Sequence, residues 1–289
     1  MIVPIKKILK KAQQGNYALG SFNTSNLEIT LAIIKAGVKL KSPLIIQTSK
    51  SAIKYSNLLT LFNIITNLSN TIGKSIPIAI HLDHGKDLKL IKECLNINYS
   101  SVHIDASEKS FYKNIFLTKK IVQMAHKKNI AVQGELGAIL GKEGMISIQK
   151  GDMKIEDYFT NPSKAQEFVT KTNIDSLAIS IGTAHGYFKN DSRIDYRRLT
   201  EIASLINKPL ILHGGSGLNK RSYKKLIKNG ITVINIDTNL RLAYKKALRK
   251  SINKNDKIID PRKILQPATE AVQKEVEKMI KIFGSNNKV

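Results

Sequence analysis

An eight-stranded parallel α/β barrel is the fold that this 289-residue sequence predicts, on three observations. Short apolar runs alternate with longer segments of helical periodicity along the whole length, the pattern of strand–helix–strand crossovers. Eight such runs can be counted, the number a closed (β/α)8 barrel needs. Nearly every run ends in a polar residue capable of chemistry, whereas an open doubly wound sheet would gather such residues at one switch point.

The runs come in a regular order. YALGSFN (17–23) ends in Asn23 and leads into NLEITLAIIKAGVKL, whose apolar residues recur at three and four. SPLIIQTS (42–49) ends in Ser49, IPIAIHLD (76–83) in Asp83, SVHIDA (101–106) just past Asp105, and IAVQGELG (130–137) just past Glu135. SLAISIG (176–182), PLILHGG (209–215) and ITVINIDT (231–238) complete the set, with seven intervening helices and one after the last. The segment 137–162 carries Gly137, Gly141, Gly144 and Gly151 and is too long for a simple connection, so a mobile active-site loop is expected there. Beyond the eighth strand the pattern gives one more helix, a turn at DPRK (260–263) and an amphipathic helix through VQKEVEKMIKIF, a helical extension over about 260–284. No low-complexity or Pro/Gly-rich linker divides the chain, so residues 1–289 read as a single domain.

Composition narrows the function classes. The chain has 47 lysines and arginines against 22 aspartates and glutamates, a formal charge of +25. The lysines are scattered over nearly every polar helix face, with no clustered aromatics and no recognition module, so neither nucleic acid nor a membrane is expected as partner. A diffuse positive surface instead favours the approach of phosphorylated small molecules. The single cysteine, Cys94, excludes an intrachain disulfide and a cysteine-cluster metal site and fits a reducing compartment. MIVPIKKILKKAQQG has an amphipathic helical pattern but no long apolar stretch or small-residue cleavage site, so a cytoplasmic location is expected.

The chemistry concentrates at the predicted strand ends. In HLDHG (81–85) a carboxylate and an imidazole are consecutive. Consecutive strand residues face opposite ways, so Asp83 and His84 can share one pocket only where the strand ends and the backbone turns. His84, His185 in IGTAHG and His213 in LHGGSG end the third, sixth and seventh strands. Three imidazoles around one mouth with an open fourth position is a catalytic zinc arrangement. HGGSG (213–217) and NIDT (235–238) close the seventh and eighth strands, where barrels of this kind often bind phosphate. Asp105 and Glu135 either accept a second cation, hydrogen-bond a ligating histidine, or cap the following helices. His81 and His103 fall one layer deeper and read as core or supporting groups.

Taken together, SFNTSNLE, HLDHG, IDAS, ELG, GTAHG, LHGGSG, NIDT and DPRK span nearly the whole chain. In that order they resemble the class II, metal-dependent ketose-bisphosphate aldolases, in the smaller subgroup. The resemblance implies zinc on His84, His185 and His213, Asp83 as acid/base at the C4 oxygen, and Glu143 exchanging a proton at the enediolate carbon. It implies Asp105 and Glu135 at a second divalent cation, with a monovalent cation nearby. Gly186, Gly214, Gly215, Ser216, Asn235, Ile236, Asp237 and Thr238 would cradle dihydroxyacetone phosphate; Ser49 and Arg262 would hold the aldehyde-phosphate half. The implied reaction is zinc-dependent cleavage of fructose 1,6-bisphosphate to dihydroxyacetone phosphate and glyceraldehyde 3-phosphate, by a homo-oligomer (dimer or tetramer). NIDT is similar to the fructose enzymes, whereas GTAHG occurs with tagatose-1,6-bisphosphate ones; a zinc hydrolase on the same barrel is the remoter alternative. This chain departs from the family pattern at Gln133, where an acid is usual, at Gly134 in place of Ala, and at His103, where Met is common. The family's acidic loop stretch is reduced to GKEG, leaving Glu143.

Overall fold

The computed structural model describes residues 1–138, 158–184, 186, 193–254 and 257–289. All eight predicted strands form: β1 (Leu19–Asn23), β2 (Leu44–Ser49), β3 (Ile78–Gly85), β4 (Ser101–Ile104), β5 (Ala131–Leu136), β6 (Ser176–Ile179), β7 (Leu210–Leu212) and β8 (Ile231–Ile236). They pair in parallel in sequence order, and β8 closes on β1 through registers such as Ser21 with Asn235. No described helix is long and apolar enough to cross a membrane.

The amphipathic N-terminal segment forms α1 (Ile5–Gln14), which plugs one end of the barrel. Its buried Ile5, Ile8, Leu9 and Ala12 meet Leu19, Ile45, Ala79, Ala131, Ala178, Ile211 and Val233, one inward residue from each of seven strands. Side chains alternate in and out along a strand, so the next inward positions lie two residues on. There the barrel turns polar: Ser21, Gln47, His81, Gln133, His213 and Asn235 are all buried. The outward positions, among them Phe22, Ile46, Leu82, Val102 and Ile234, form the core beneath the helices. A barrel apolar and plugged at one end and polar at the other directs its chemistry to the C-terminal strand ends.

Helices follow the strands as expected, with one refinement. α2 (Leu27–Lys39) follows β1, but β2 is followed by two helices, α3 (Lys50–Ser56) and α4 (Leu58–Thr71). The break falls at Asn57, at φ 67, whose side-chain Oδ1 accepts the Leu59 N–H. Asparagine tolerates that left-handed conformation and caps at little cost. α5 (Leu88–Asn96), α6 (Phe111–His126), α7 (Pro162–Thr172), α8 (Tyr196–Leu205), α9 (Lys220–Lys228) and α10 (Thr238–Lys254) complete the outer layer. The turn expected at DPRK is instead the start of α11 (Pro261–Phe283): Asp260 accepts the Arg262 N–H, and Pro261 stands where a helix has no use for an N–H. α11 packs on α2 and α10, tied to α2 by Lys39 and Glu277 at 2.8 Å.

Beside the plug, Asp175 fastens three elements. It accepts from Lys6 of α1 at 2.7 Å, from His126 at the end of α6 at 2.8 Å and from the Val132 N–H of β5 at 2.8 Å. Burial alone would raise its pKa, but the bonds from Lys6, His126 and Val132 outweigh burial and hold it below the usual carboxylate range. Because the folded-state pKa is depressed, the stabilisation is present above about pH 4 and fades as pH falls through the folded value. Asp175→Asn is therefore expected to lower stability by about 1–3 kcal/mol at pH 7. In denaturant titrations the gap to wild type should close on acidification; a pH-independent gap would contradict the charge argument.

Candidate active site

The site is organised by a break in the ladder at the end of β3. The β3–β4 register shifts between Leu82 and Gly85, and His84 takes the left-handed conformation at φ 47. That bulge turns Asp83 and His84 toward the same mouth, which a regular strand forbids. Gly85 permits the crossing, because a Cβ there would lie 2.3 Å from the His103 carbonyl oxygen.

His84 Nε2 lies 2.9 Å from His213 Nδ1, and Asp83 Oδ1 is 4.0 Å from the first and 3.9 Å from the second. The far nitrogen of each ring is held. His84 Nδ1 donates to Asp105 Oδ2 at 2.9 Å, and His213 Nε2 meets the Gln133 amide at 2.9 Å. Asp105 is itself steadied by Ser107, whose N–H and hydroxyl donate to Oδ1 at 3.2 and 2.7 Å. Thr183 donates to the His213 carbonyl at 2.8 Å. Such partners fix ring orientation and tautomer at a metal.

Asp83 is clamped on one side only. Its Oδ2 accepts from Asn23 at 2.9 Å and from Gln47 at 3.1 Å, and Gln47 also donates to Asn23 Oδ1 at 2.6 Å. Oδ1 is buried without a hydrogen-bond partner among the described residues. Sequence reasoning missed Gln47 and saw Asn23 only as a strand end. The available signal was alternation, since both stand on the inward phase of strands whose deeper inward residues are Leu19 and Ile45.

The electrostatics call for a cation. Burial alone would lower the His84 pKa, but Asp83, the Asp105 bond and Glu135 reverse this and raise it to about 10. Burial works against ionised Asp83 as well, and is outweighed by His84, the Asn23 bond and the neighbouring histidines, so its pKa lies below the usual range. His81 differs: burial, aided by His103 and His84, pushes it down to about 3, so it stays neutral and bonds Ser101 Oγ through Nδ1 at 2.7 Å. Two converging imidazole nitrogens whose outer nitrogens are already engaged, beside a buried carboxylate, suit a borderline divalent metal such as zinc, and Asp83, His84 and His213 place these atoms close together.

Of the expected second-cation pair, Asp105 is engaged with His84 and Ser107, whereas Glu135 Oε2 lies 3.2 Å from His103 Nε2 and 3.9 Å from His84 Nδ1. Six of the residues expected to hold phosphate come together. Gly186, Gly214, Ser216, Asn235, Asp237 and Thr238 line one pocket together with Asn23, Gln47, Asp83 and His213. Gly214, at φ 62, admits the Ala184 backbone, whose oxygen a Cβ would approach to 2.4 Å. Asp237 pairs with Arg241 at 2.6 Å; burial still raises its pKa, against Arg241 and with Asp83 adding to the rise.

Four expected residues do not line this pocket. Gly215 packs under β8 and its carbonyl accepts the Tyr223 hydroxyl. Ile236 turns its side chain outward into the core beneath the helices, leaving only its backbone for the pocket side. Ser49 caps α3 through the Ala52 N–H and bonds Ser51. Arg262 lies on the surface with 89% of its side chain exposed, paired with Asp260 at 2.9 Å. His185, Glu143 and most of the expected loop at 137–162 lie outside the described residues.

Comparison with known proteins follows the same line. A family model described as "Fructose-bisphosphate aldolase class-II" matches residues 3–288. The chain is 36% identical over 288 residues to a fructose-bisphosphate aldolase of Staphylococcus aureus, with 99% of both chains covered. It is 37% identical over 308 aligned residues to one from Thermus caldophilus, again with 99% of both covered. Among solved structures it superposes on the YdjI aldolase of Escherichia coli K12 with a TM-score of 0.83 and 27% identity, over 100% of this chain and 99% of that one.

Co2+ added to metal-free protein is expected to bind with the visible absorption of an imidazole-coordinated ion, and His213→Ala to lose that band. An unaltered spectrum in the variant would put the ion elsewhere.

Proposed function

The chain belongs to the class II fructose-bisphosphate aldolase family, and from that premise we propose how its residues divide the work. It is a carbon–carbon lyase, cleaving fructose 1,6-bisphosphate reversibly to dihydroxyacetone phosphate and glyceraldehyde 3-phosphate. The division rests on one observation: Asp83 offers a buried, unpartnered Oδ1 beside two converging histidine nitrogens while Asn23 and Gln47 hold Oδ2.

His84 and His213 hold zinc, joined by His185, which is assigned from its GTAHG motif alone. A zinc ion held there would polarise the ketose carbonyl and offset the negative charge that develops on the three-carbon half as C3–C4 breaks. Asp83, ionised because its neighbours keep its pKa low, takes the C4 hydroxyl proton during cleavage and returns it during condensation. The Asn23 and Gln47 amides keep that carboxylate from rotating, so Oδ1 meets the substrate in one orientation. Glu143 exchanges the proton at the carbon left nucleophilic, an assignment resting on the family pattern.

The phosphate of the three-carbon half is held by the backbone at Gly186 and Gly214, by Ser216, and by the start of α10 at Thr238, where unpaired N–H groups and the helix dipole favour an anion. Asn235 and Asp237 face the same pocket and serve the substrate hydroxyls. Asp105 serves His84 directly; Glu135 is the carboxylate to which a second divalent or a monovalent cation would bind. Assembly as a dimer or tetramer and a cytoplasmic location follow from the resemblance.

A strong chelator is expected to abolish cleavage, measured by coupled detection of dihydroxyacetone phosphate, and added zinc to restore it. Borohydride with substrate should leave the enzyme intact; a trapped lysine adduct would overturn the metal mechanism. Asp83→Ala should retain zinc and lose turnover by roughly 10²-fold or more, the scale of a positioned acid/base group. Near-normal turnover would remove Asp83 from that role.

A further inference from the structure

His103 is fully buried, its ring centroid 5.0 Å from that of His84 and 5.2 Å from that of His213. With His84 and Glu135 it forms a cluster compact enough to suggest a second metal site. Its hydrogen bonding argues otherwise. His103 Nδ1 accepts the His84 backbone N–H at 3.2 Å. A neutral imidazole that accepts at one nitrogen carries its proton on the other, so Nε2 holds an N–H rather than a lone pair for an ion; it lies 3.2 Å from Glu135 Oε2, a close approach without hydrogen-bond geometry.

We propose that His103 is a positioning residue for the metal site, anchoring the left-handed turn at His84 through the backbone and facing the Glu135 carboxylate with its N–H. This rests on the reading of His84 as a metal ligand. The need arises from the bulge, since β4 pairs with β3 at Leu82 and Gly85 but offers no register partner to Asp83 or His84. An acceptor at His103 gives the displaced His84 N–H a defined direction, and the imidazole turns with its backbone. The bond crosses between neighbouring strands, so the ring ties the end of β3 to β4. Methionine in its place would supply neither acceptor nor donor.

The two contacts can be separated by substitution. His103→Asn puts an amide oxygen close to the position of Nδ1 and keeps the acceptor; His103→Gln puts an amide nitrogen close to Nε2 and keeps the donor; His103→Met removes both. The readouts on the full chain are Co2+ affinity by chelator competition and the Co2+ visible spectrum, with thermal unfolding alongside. His103→Met is expected to weaken Co2+ binding about 10- to 100-fold, the usual effect of losing an outer partner of a metal ligand, and to alter the spectrum. His103→Asn should recover most of the affinity and His103→Gln should not.

Wild-type affinity and spectrum in His103→Met would overturn the proposal, as would equal losses in the Asn and Gln variants, which would mean that His103 only fills space. Should the Met variant fail to fold, the Asn and Gln pair decides alone. His84→Ala separates the two levels. If it keeps Co2+, the ligand assignment fails and the proposal with it; if it loses Co2+ while His103→Met binds normally, only the positioning role fails.

Discussion

The left-handed turn at His84 is the constraint on which the rest of the site depends. In a regular strand Asp83 and His84 would lie on opposite faces of the barrel wall, one in the lumen and one under the helices. The bulge between Leu82 and Gly85 removes that alternation for one residue, at a conformation uncommon for a non-glycine. Such strain persists only where the surroundings over-determine it. Here they do: the His84 ring is held by Asp105, its N–H by His103 and its carbonyl by the Lys86 N–H at 2.9 Å, while Gly85 lets the β4 backbone pass close by.

The barrel tolerates this concentration of buried polar groups because its two ends are specialised. Around α1 the lumen is filled with Leu, Ile, Val and Ala and needs no hydrogen bonds. One layer further along, polar side chains bond from strand to neighbouring strand or across the lumen: Ser21 to Gln47, His81 to Ser101 and Gln133 to His213. Among the described residues several atoms are left without hydrogen-bond partners at the top, including Asp83 Oδ1 and Glu135 Oε2. Buried polar atoms without partners are costly, and the place where a protein keeps them is where a ligand or ion would complete them. Gly214, Ser216 and Thr238 line the same pocket as Asp83.

Much of this was legible from the chain alone, and the failures have specific causes. The eight strands were readable because each is a short apolar run bounded by turn residues. Asn57 was not read as a break because the apolar periodicity continues through it, and DPRK read as a turn although Asp-Pro is equally a helix start. Gln47 escaped notice because one glutamine in an apolar strand carries no motif; only the closure of the barrel brings it to Asp83. Ser49 and Arg262 were expected at the substrate, yet each is engaged locally, Ser49 with the start of α3 and Arg262 with Asp260. Ile236 belongs to NIDT as a string, but strand alternation turns its side chain to the opposite side from Asn235 and Asp237.

Local sequence determined the element types, the parallel alternating order, the polar strand ends and the chemical kinds of group available, because periodicity, turn residues and side-chain donors are properties of short segments. Which of those groups meet was decided by tertiary structure. The 2.9 Å approach of His84 to His213, the one-sided clamp on Asp83 by Asn23 and Gln47, and the bond of Asp105 to His84 all join residues far apart in the chain. These contacts depend on strand tilt, on the register shift in β3 and on the closing of β8 against β1. Those quantities emerge only when all the strands pack around one lumen, so no short segment contains them.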